Sequence, residues 1–398
     1  MSQRLNLFDP DFRENPYPHY ARLRRDSPVC QVDPNGFWML TRHEDIVAAF
    51  KNPELYSSSA LRMAGAPPWL GRSNPLVDSM IAAEPQRHGR LRNLISRAFT
   101  NVMVGRMEAY ARDVVMRLTD MLFQSETVDF IPQFALAMPA NLMALLLGVD
   151  PALQKRFKGW ADDISGAPAV ALDDVVRQEQ VRTTLQEMDV YLREVLERRR
   201  QKPTDDLVSD LLQIQVDGER LTEEELLSFL SLLLVAGLET TTFLLTHIAL
   251  ILAKNPEWFD RLRTNDVLIN PFIEEVLRYE PPNHFAMRLV MQDTEVRGVK
   301  LPAGSPVLLS LASGLRDEAH YPDAEQFNPE RGVQANLAFG HGIHFCLGAP
   351  LARMEARVAL DTILASFSRF ELATDKIQWM HSLFFRAPTS LPLRFTPL

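Results

Sequence analysis

The sequence predicts a mainly α chain with smaller β-sheet regions, built as a single domain over residues 1–398. Three features lead there. Residues 222–253 form one long run of apolar and hydroxylic residues, and helical spacing of apolar residues recurs between residues 87 and 200. Short turn-separated β-like pieces are confined to residues 29–41 and 286–311, with weaker strand character over 372–398. No linker, internal repeat or low-complexity segment interrupts the chain, and 46% of its residues are hydrophobic, enough for one large core.

Composition excludes several classes of function. A formal net charge of −9 argues against the broad basic surface that nucleic-acid binding requires. Two cysteines, Cys30 and Cys346, make no disulfide framework and suit a reducing cytoplasm. The first 18 residues include Arg4, Asp9, Asp11, Arg13 and Glu14 and lack the apolar core of a signal peptide, so a soluble protein is expected.

In chain order, a helix is predicted over 17–25, then two strands, 29–32 and 37–41, around the turn Asp33-Pro34-Asn35-Gly36, then a helix over 43–51. Residues 56–83 lack periodicity but are apolar, with Met63 and Trp69 among them; a loop this long and apolar is expected to cap or line a pocket. The helix over 87–99 puts His88 and Arg92 four apart on one face, either an anion site or a solvated basic face. Helices follow over 104–124, 141–147, 151–164 and 173–200.

The longest element begins at Thr222, whose spacing to Glu225 is that of a capping box, and stops at Asn255-Pro256. It spans roughly 50 Å, at about 1.5 Å per residue. Glu239 at its middle makes a membrane span far costlier than a buried central helix. Around it, Ala236-Gly237-Leu238-Glu239-Thr240-Thr241-Thr242 breaks the rules for a buried helix, through a glycine, an acid and hydroxyls. Two readings stand side by side: a functional site, or threonines bonded back to carbonyls with Glu239 paired to a cation.

A helix over 271–279 carries Glu275 and Arg278, three apart and able to pair. Strands are predicted over 286–291, 294–296, 300–301 and 307–311, then an irregular stretch, 317–331. A final helix, 351–367, follows Phe339-Gly340-His341-Gly342-Ile343-His344-Phe345-Cys346-Leu347-Gly348. Glycines there let the backbone approach something flat or bulky, and helix-start amides stabilise a thiolate. By itself the loop allows zinc, with His341 and His344 as further ligands, or iron, or a reactive thiol.

Taken together, HxxxR at His88 and Arg92, AGxET at 236–240, ExxR at Glu275 and Arg278, and FGxGxHxCxG at 339–348 resemble the cytochrome P450 family of haem-thiolate monooxygenases, in its soluble bacterial form. The resemblance runs from Phe8-Asp9-Pro10 and Asn15-Pro16-Tyr17 to the Leu351-Ala352-Arg353 that follows the cysteine motif. It implies a triangular prism with haem between the long central helix and the cysteine-loop helix. It further implies Cys346 as axial ligand of the iron. His88, Arg92, Arg288 and His344 would bind the propionates, and Ala236, Gly237, Phe339, Gly340 and Gly348 would pack on the porphyrin, with Phe339 shielding the sulfur and Gly237 making room for O2. Glu239 and Thr240 would form the acid and alcohol pair that supplies protons during oxygen activation. Glu275, Arg278 and Arg331 would form a structural salt-bridge group.

The implied substrate is a hydrophobic small molecule of terpenoid, steroid, fatty acyl or polyketide type, hydroxylated or epoxidised, in a pocket drawing on Met63, Trp69, Leu238, Phe285, Met287 and Phe384. The implied cofactor is haem b with O2 as co-substrate. Electrons would come from NAD(P)H through a separate ferredoxin and ferredoxin reductase, since no flavin domain fits in these residues. Arg87, Arg90, Arg97, Arg353 and Arg357 would receive that partner. A cytoplasmic monomer is expected, without a fused reductase and without membrane or nucleic-acid partners. The rival reading is a non-catalytic haem-binding carrier or sensor, against which the intact Glu239-Thr240 pair argues. Departures from the family pattern are Leu238 where His is common, Arg386-Ala387 in place of Arg-Gly, and Ser313-Gly314-Leu315 before Arg316-Asp317 without the usual Asn.

Overall fold

The helix Glu223–Lys254, 32 residues long, runs through the core of the computed structural model, which describes residues 4–65, 67–332 and 336–398, and side chains there except at 63–65, 151 and 154. Both halves of the predicted capping box form: Thr222 Oγ1 accepts from Glu225 N–H at 3.2 Å, and Glu225 accepts from Thr222 N–H at 2.9 Å. At the far end Asn255 bonds back to Ile251 with both its backbone and its side chain, and Pro256 prevents continuation. Although long and apolar enough to cross a membrane, the helix is wrapped by the chain itself. Helices Gln154–Gly166, Ala137–Leu146, Ile269–Tyr279 and Ala349–Ser366 and strand Phe367–Leu372 all touch it.

The cysteine-loop helix Ala349–Ser366 is pinned from its other side by Asn101–Leu122. That partner buries Met103, Met107, Ala111, Val114, Leu118 and Leu122, a stripe at three- and four-residue spacing. Each large side chain so buried stabilises the pairing by about 1.5–3 kcal/mol before entropy is counted.

The main sheet has the order Leu5–Asn6, Val29–Asp33, Phe37–Leu40, Pro306–Ser310, Phe285–Val290, Tyr56–Ser57. Val29–Asp33 and Phe37–Leu40 pair antiparallel, as the intervening turn predicts. In Phe285–Val290 the alternation of faces decides function. Phe285, Met287 and Leu289 pack with Leu7, Phe12 and Tyr20, whereas Ala286 and Val290 pack on the opposite side, the face that Arg288 shares by register. The tail forms a strand pair, Phe367–Leu372 with Pro392–Pro397, extended by Val128–Asp129.

The predicted salt-bridge group is present. Glu275 takes two bonds from Arg278, at 2.7 and 2.8 Å, and further ones from Arg331 and the Asn328 N–H. The same guanidiniums donate to carbonyls of Leu315, Ala324, Gln326 and Pro322, so buried charge and loop backbone satisfy each other. A second pair, Arg386 with Glu280 at 2.9 Å, ties the tail to the turn after that helix.

Among the helices that escaped the sequence reading, the longest are Leu207–Gln213 and Glu257–Thr264; both are too short to show more than two apolar turns. Residues 56–83 are not a structureless loop: Ala60–Gly65, Pro68–Leu70, Pro75–Asp78 and Met80–Ala82 each make a turn or so of helix. Single turns leave no periodicity to detect, although Asn74 before Pro75 is a recognisable cap.

Candidate functional site

The cysteine loop is shaped by its own backbone. Asn336 Oδ1 caps the turn Leu337–Phe339 by accepting from Ala338 N–H, and Cys346 N–H donates to Phe339 O at 3.0 Å. Gly342 has φ +70°, and a Cβ there would lie 2.5 Å from the Phe50 carbonyl oxygen, so only glycine fits. The amides of Gly348 and Ala349, at the start of the helix, point at the sulfur. Arg353 covers Phe339 at 4.4 Å and pairs with Glu274.

Cys346 is exposed, yet burial is what most raises its thiol pKa, against the opposing pull of the Gly348 amide and Arg92. The two agree when the sulfur faces an interior opening, walled by protein, and not bulk solvent.

Four basic groups gather near it. The rings of His88 and His344 are 4.1 Å apart, Ser58 Oγ is 3.0 Å from His344 Nε2, and Arg92 and Arg288 lie close enough to depress His344 electrostatically. Burial first, then His88, Arg288 and Arg92, push His344 down to about 3; burial lowers His88 and Arg92 and takes Arg288 to about 10. Arg288 is 8% exposed, and among the described residues neither it nor Arg92 has a carboxylate within salt-bridge distance. A buried guanidinium without an anion is costly. The cluster therefore fits a ligand carrying carboxylates.

The central helix completes the site. From Leu226 to Leu252 it is buried except at Ser228, Leu232, Ala236, Gly237, Thr240 and Phe243. Apart from Gly237, these positions lie within about 120° of one another around the axis, a single uncovered stripe on an otherwise enclosed helix. An uncovered stripe on a helix otherwise wrapped by the chain leaves room for a bound group along it.

Along the helix the threonines do what the conservative reading expected: Thr240 Oγ1, in the stripe, donates to Ala236 O at 2.6 Å, and the buried Thr242 and Thr246 bond back likewise. Glu239 does not reach Thr240. Its carboxylate accepts from Ser165 Oγ at 3.3 Å, beneath the surface pair of Lys158 and Asp162 on the same helix, Gln154–Gly166. Burial, partly offset by Lys158, raises Glu239 to about 7. At Gly237 a Cβ would meet Met143 Sδ at 2.9 Å, so the missing side chain is required by helix packing against Ala137–Leu146.

Several expected pocket residues are elsewhere. Leu238 is fully buried in the helical core, because it sits 200° around the helix from Ala236. Phe285 and Met287 belong to the core beneath the main sheet, by the strand alternation described above, and Phe384, outside any strand, packs against that core too. Trp69 is half-buried against the helical core, and the side chain of Met63 lies outside those described. Conversely, the sequence reading missed Phe243, whose ring is 5.8 Å from Phe385. Its spacing, seven residues from Ala236 and three from Thr240, was a usable signal. Ser58 and Ser165 gave none.

The expected basic docking patch is largely compensated. Arg90 pairs with Glu219 and Glu225, Arg353 with Glu274, and Arg357 with Glu108, while Arg87 donates to Asp78 O. Sequence alone could not show that these arginines already had partners.

Three comparisons bear on the site. A family model described as Cytochrome P450 matches residues 28–390. The cyclomarin C epoxidase CymV of Salinispora arenicola is 36% identical over 373 residues, 94% of each chain. Among solved structures, cytochrome P450 CYP109Q5 from Chondromyces apiculatus superposes over the whole of both chains with a TM-score of 0.92 at 36% identity. CYP109E1 from Bacillus megaterium, solved in complex with corticosterone, gives 0.86 at 29% identity over 96% of this chain and 99% of that one.

Proposed function

The chain belongs to the cytochrome P450 family of haem-dependent monooxygenases, and on that premise we propose that it oxidises a neutral, largely hydrophobic small molecule held along the uncovered stripe of its central helix. The stripe itself carries this reading: Leu232, Ala236 and Phe243 are apolar, and Ser228 and Thr240 add two hydroxyls without a charge. A terpenoid, steroid, fatty acyl or polyketide-like substrate fits such a wall, with hydroxylation or epoxidation as the outcome. CymV is named as an epoxidase and CYP109E1 was solved with a steroid, which supports this range.

Haem b, when bound, supplies the activation of O2 and the oxidising power. Cys346 holds it through sulfur, with the Gly348 and Ala349 amides stabilising the thiolate. Arg92 and Arg288 would neutralise its two carboxylates, and the uncharged rings of His88 and His344 could donate hydrogen bonds to them. Phe339, Gly340 and Gly348 shape the loop that faces it.

Glu239, poised near neutrality at about 7, holds a proton on the solvent side of the site and renews it through Ser165 and the Lys158–Asp162 surface pair. Thr240 spends its own proton on Ala236 O, which leaves its oxygen free to accept from a water and fix that water's place. Glu239 recharges that water.

Family members draw on redox partners, and the electrons here are proposed to come from NAD(P)H through a ferredoxin and its reductase. The protein is read as a cytoplasmic monomer of one domain. A carbon monoxide difference spectrum of the reduced protein tests the ligation: absence of the red-shifted thiolate band removes Cys346 from its role. Screening apolar ligands for displacement of iron-bound water then tests the substrate class.

A further inference from the structure

Seven residues beyond Thr240, two turns along nearly the same helix face and about 10 Å further on, lies His247. It is fully buried, and neither ring nitrogen has a hydrogen-bond partner. The carbonyls of Glu280 and Arg386 approach it closely enough to influence its charge but do not reach hydrogen-bonding geometry. Burial lowers its pKa to about 4, so the ring is neutral, with one N–H donor and one acceptor. Stranding either is expensive.

Its surroundings repeat the pattern. The Tyr17 hydroxyl, Asn283 Oδ1 and His284 Nε2 are also buried without partners. They belong to one neighbourhood. Arg386 bonds Glu280 through its side chain and Pro282 O through its backbone, Asn283 bridges to the backbone of Phe385, and the Tyr17 and His284 rings are 6.1 Å apart. Folded proteins leave few such groups unpaired, and a cluster of them marks bound water.

Phe243, the last residue of the uncovered stripe on the side of His247, packs on Phe385 next to this neighbourhood. Phe243 lies on the helix face between Thr240 and His247, and successive residues of the tail part company: Phe385 meets Phe243, and Arg386 turns to Glu280.

We propose that His247, Asn283, Tyr17 and the Glu280–Arg386 pair bind a small cluster of water molecules, and that the Phe243–Phe385 ring pair keeps this water from the substrate side of the central helix. The second half rests on the proposed function; the first does not.

The cluster is tested on the haem-loaded protein by thermal unfolding of two variants. His247→Asn keeps a donor and an acceptor, His247→Leu keeps neither but fills more space. With bound water, His247→Leu falls several degrees below both wild type and His247→Asn. If His247→Leu equals or exceeds His247→Asn, the imidazole lay unpaired in a dry core and the proposal is overturned. A high-resolution crystal structure gives the direct check: water within hydrogen-bonding distance of the His247 ring supports it, and a ring bonded straight to the Glu280 or Arg386 carbonyl overturns it.

The barrier is tested with Phe243→Ala. Product per reducing equivalent should fall severalfold, and the double variant Phe243→Ala/His247→Leu should regain much of it. A double variant as wasteful as the single one overturns the barrier. Should the carbon monoxide band be missing, the functional reading fails while the unfolding and crystallographic results still decide the water cluster.

Discussion

The Glu239 carboxylate accepts a hydrogen bond from Ser165 Oγ at 3.3 Å, across the contact between the central helix and Gln154–Gly166. That bond turns the acid toward the surface pair Lys158–Asp162 and away from its neighbour Thr240, which bonds to Ala236. The two halves of the predicted acid and alcohol pair are thus not bonded to each other.

Glu239 makes stability pH-dependent with a defined sign. Its folded pKa of about 7 is above the ordinary 4.5, so the folded state binds the extra proton and stability from this group is present below pH 4.5 and lost as pH rises through 7. The gap corresponds to about 3 kcal/mol at about 1.4 kcal/mol per pH unit. Wild type should therefore lose stability relative to Glu239→Gln between pH 4.5 and 7, and run parallel to it above pH 8. Glu355, raised by burial to about 8, contributes a decline of the same sign to both proteins and cancels in the difference. Denaturant titrations at a series of pH values check this.

Thr240→Ala removes the oxygen that places the water without touching Cys346 or the cation cluster. Reducing equivalents should still be consumed, while product per equivalent drops by up to about 10²-fold, the range of a lost proton-transfer group. Parallel assays of cofactor oxidation, hydrogen peroxide and product measure the split.

Arg288→Leu should act in opposite directions on the two forms of the protein. Without haem it removes a buried, carboxylate-free charge and leaves stability unchanged or higher. With haem it deletes a charged hydrogen bond of about 1.5–3 kcal/mol, so haem passes to a scavenging apoprotein about 10- to 100-fold more readily. Calorimetry and haem-transfer kinetics read the two effects.

Gly342→Ala should destabilise by at least about 2 kcal/mol, because left-handed backbone and a clash add together. Its Cβ would meet a backbone oxygen 2.5 Å away. Gly348→Ala, whose Cβ would only touch Cys346 Sγ at 4.0 Å, should be much milder in haem-free protein. Unfolding midpoints of the two variants give the ranking.

Much of the architecture was legible in the order of residues. The capping box at Thr222 and Glu225, the stop at Asn255-Pro256 and the turn at Asp33-Pro34-Asn35-Gly36 are local signals, and each structural boundary falls within a residue or two of its prediction. The cysteine loop was legible for the same reason: its glycines and its helix start are determined by neighbours in the chain. Single helical turns in 56–83 were not, because one turn has no period.

What the sequence by itself determined was the class of chemistry, since Cys346, the AGxET segment and the ExxR pair are each short motifs whose residues act together wherever the chain folds this way. Only the tertiary structure decided which side chains are buried in the core and which are left uncovered. A rotation of 100° per residue sends Leu238 into the core and Phe243 to the open stripe, and a period of two sends Phe285 and Met287 beneath the sheet. Likewise, whether an arginine is free or already paired depends on a carboxylate brought from a distant part of the chain, as Glu274 is to Arg353 and Glu219 to Arg90. Those contacts are properties of packing, and no local window of sequence contains them.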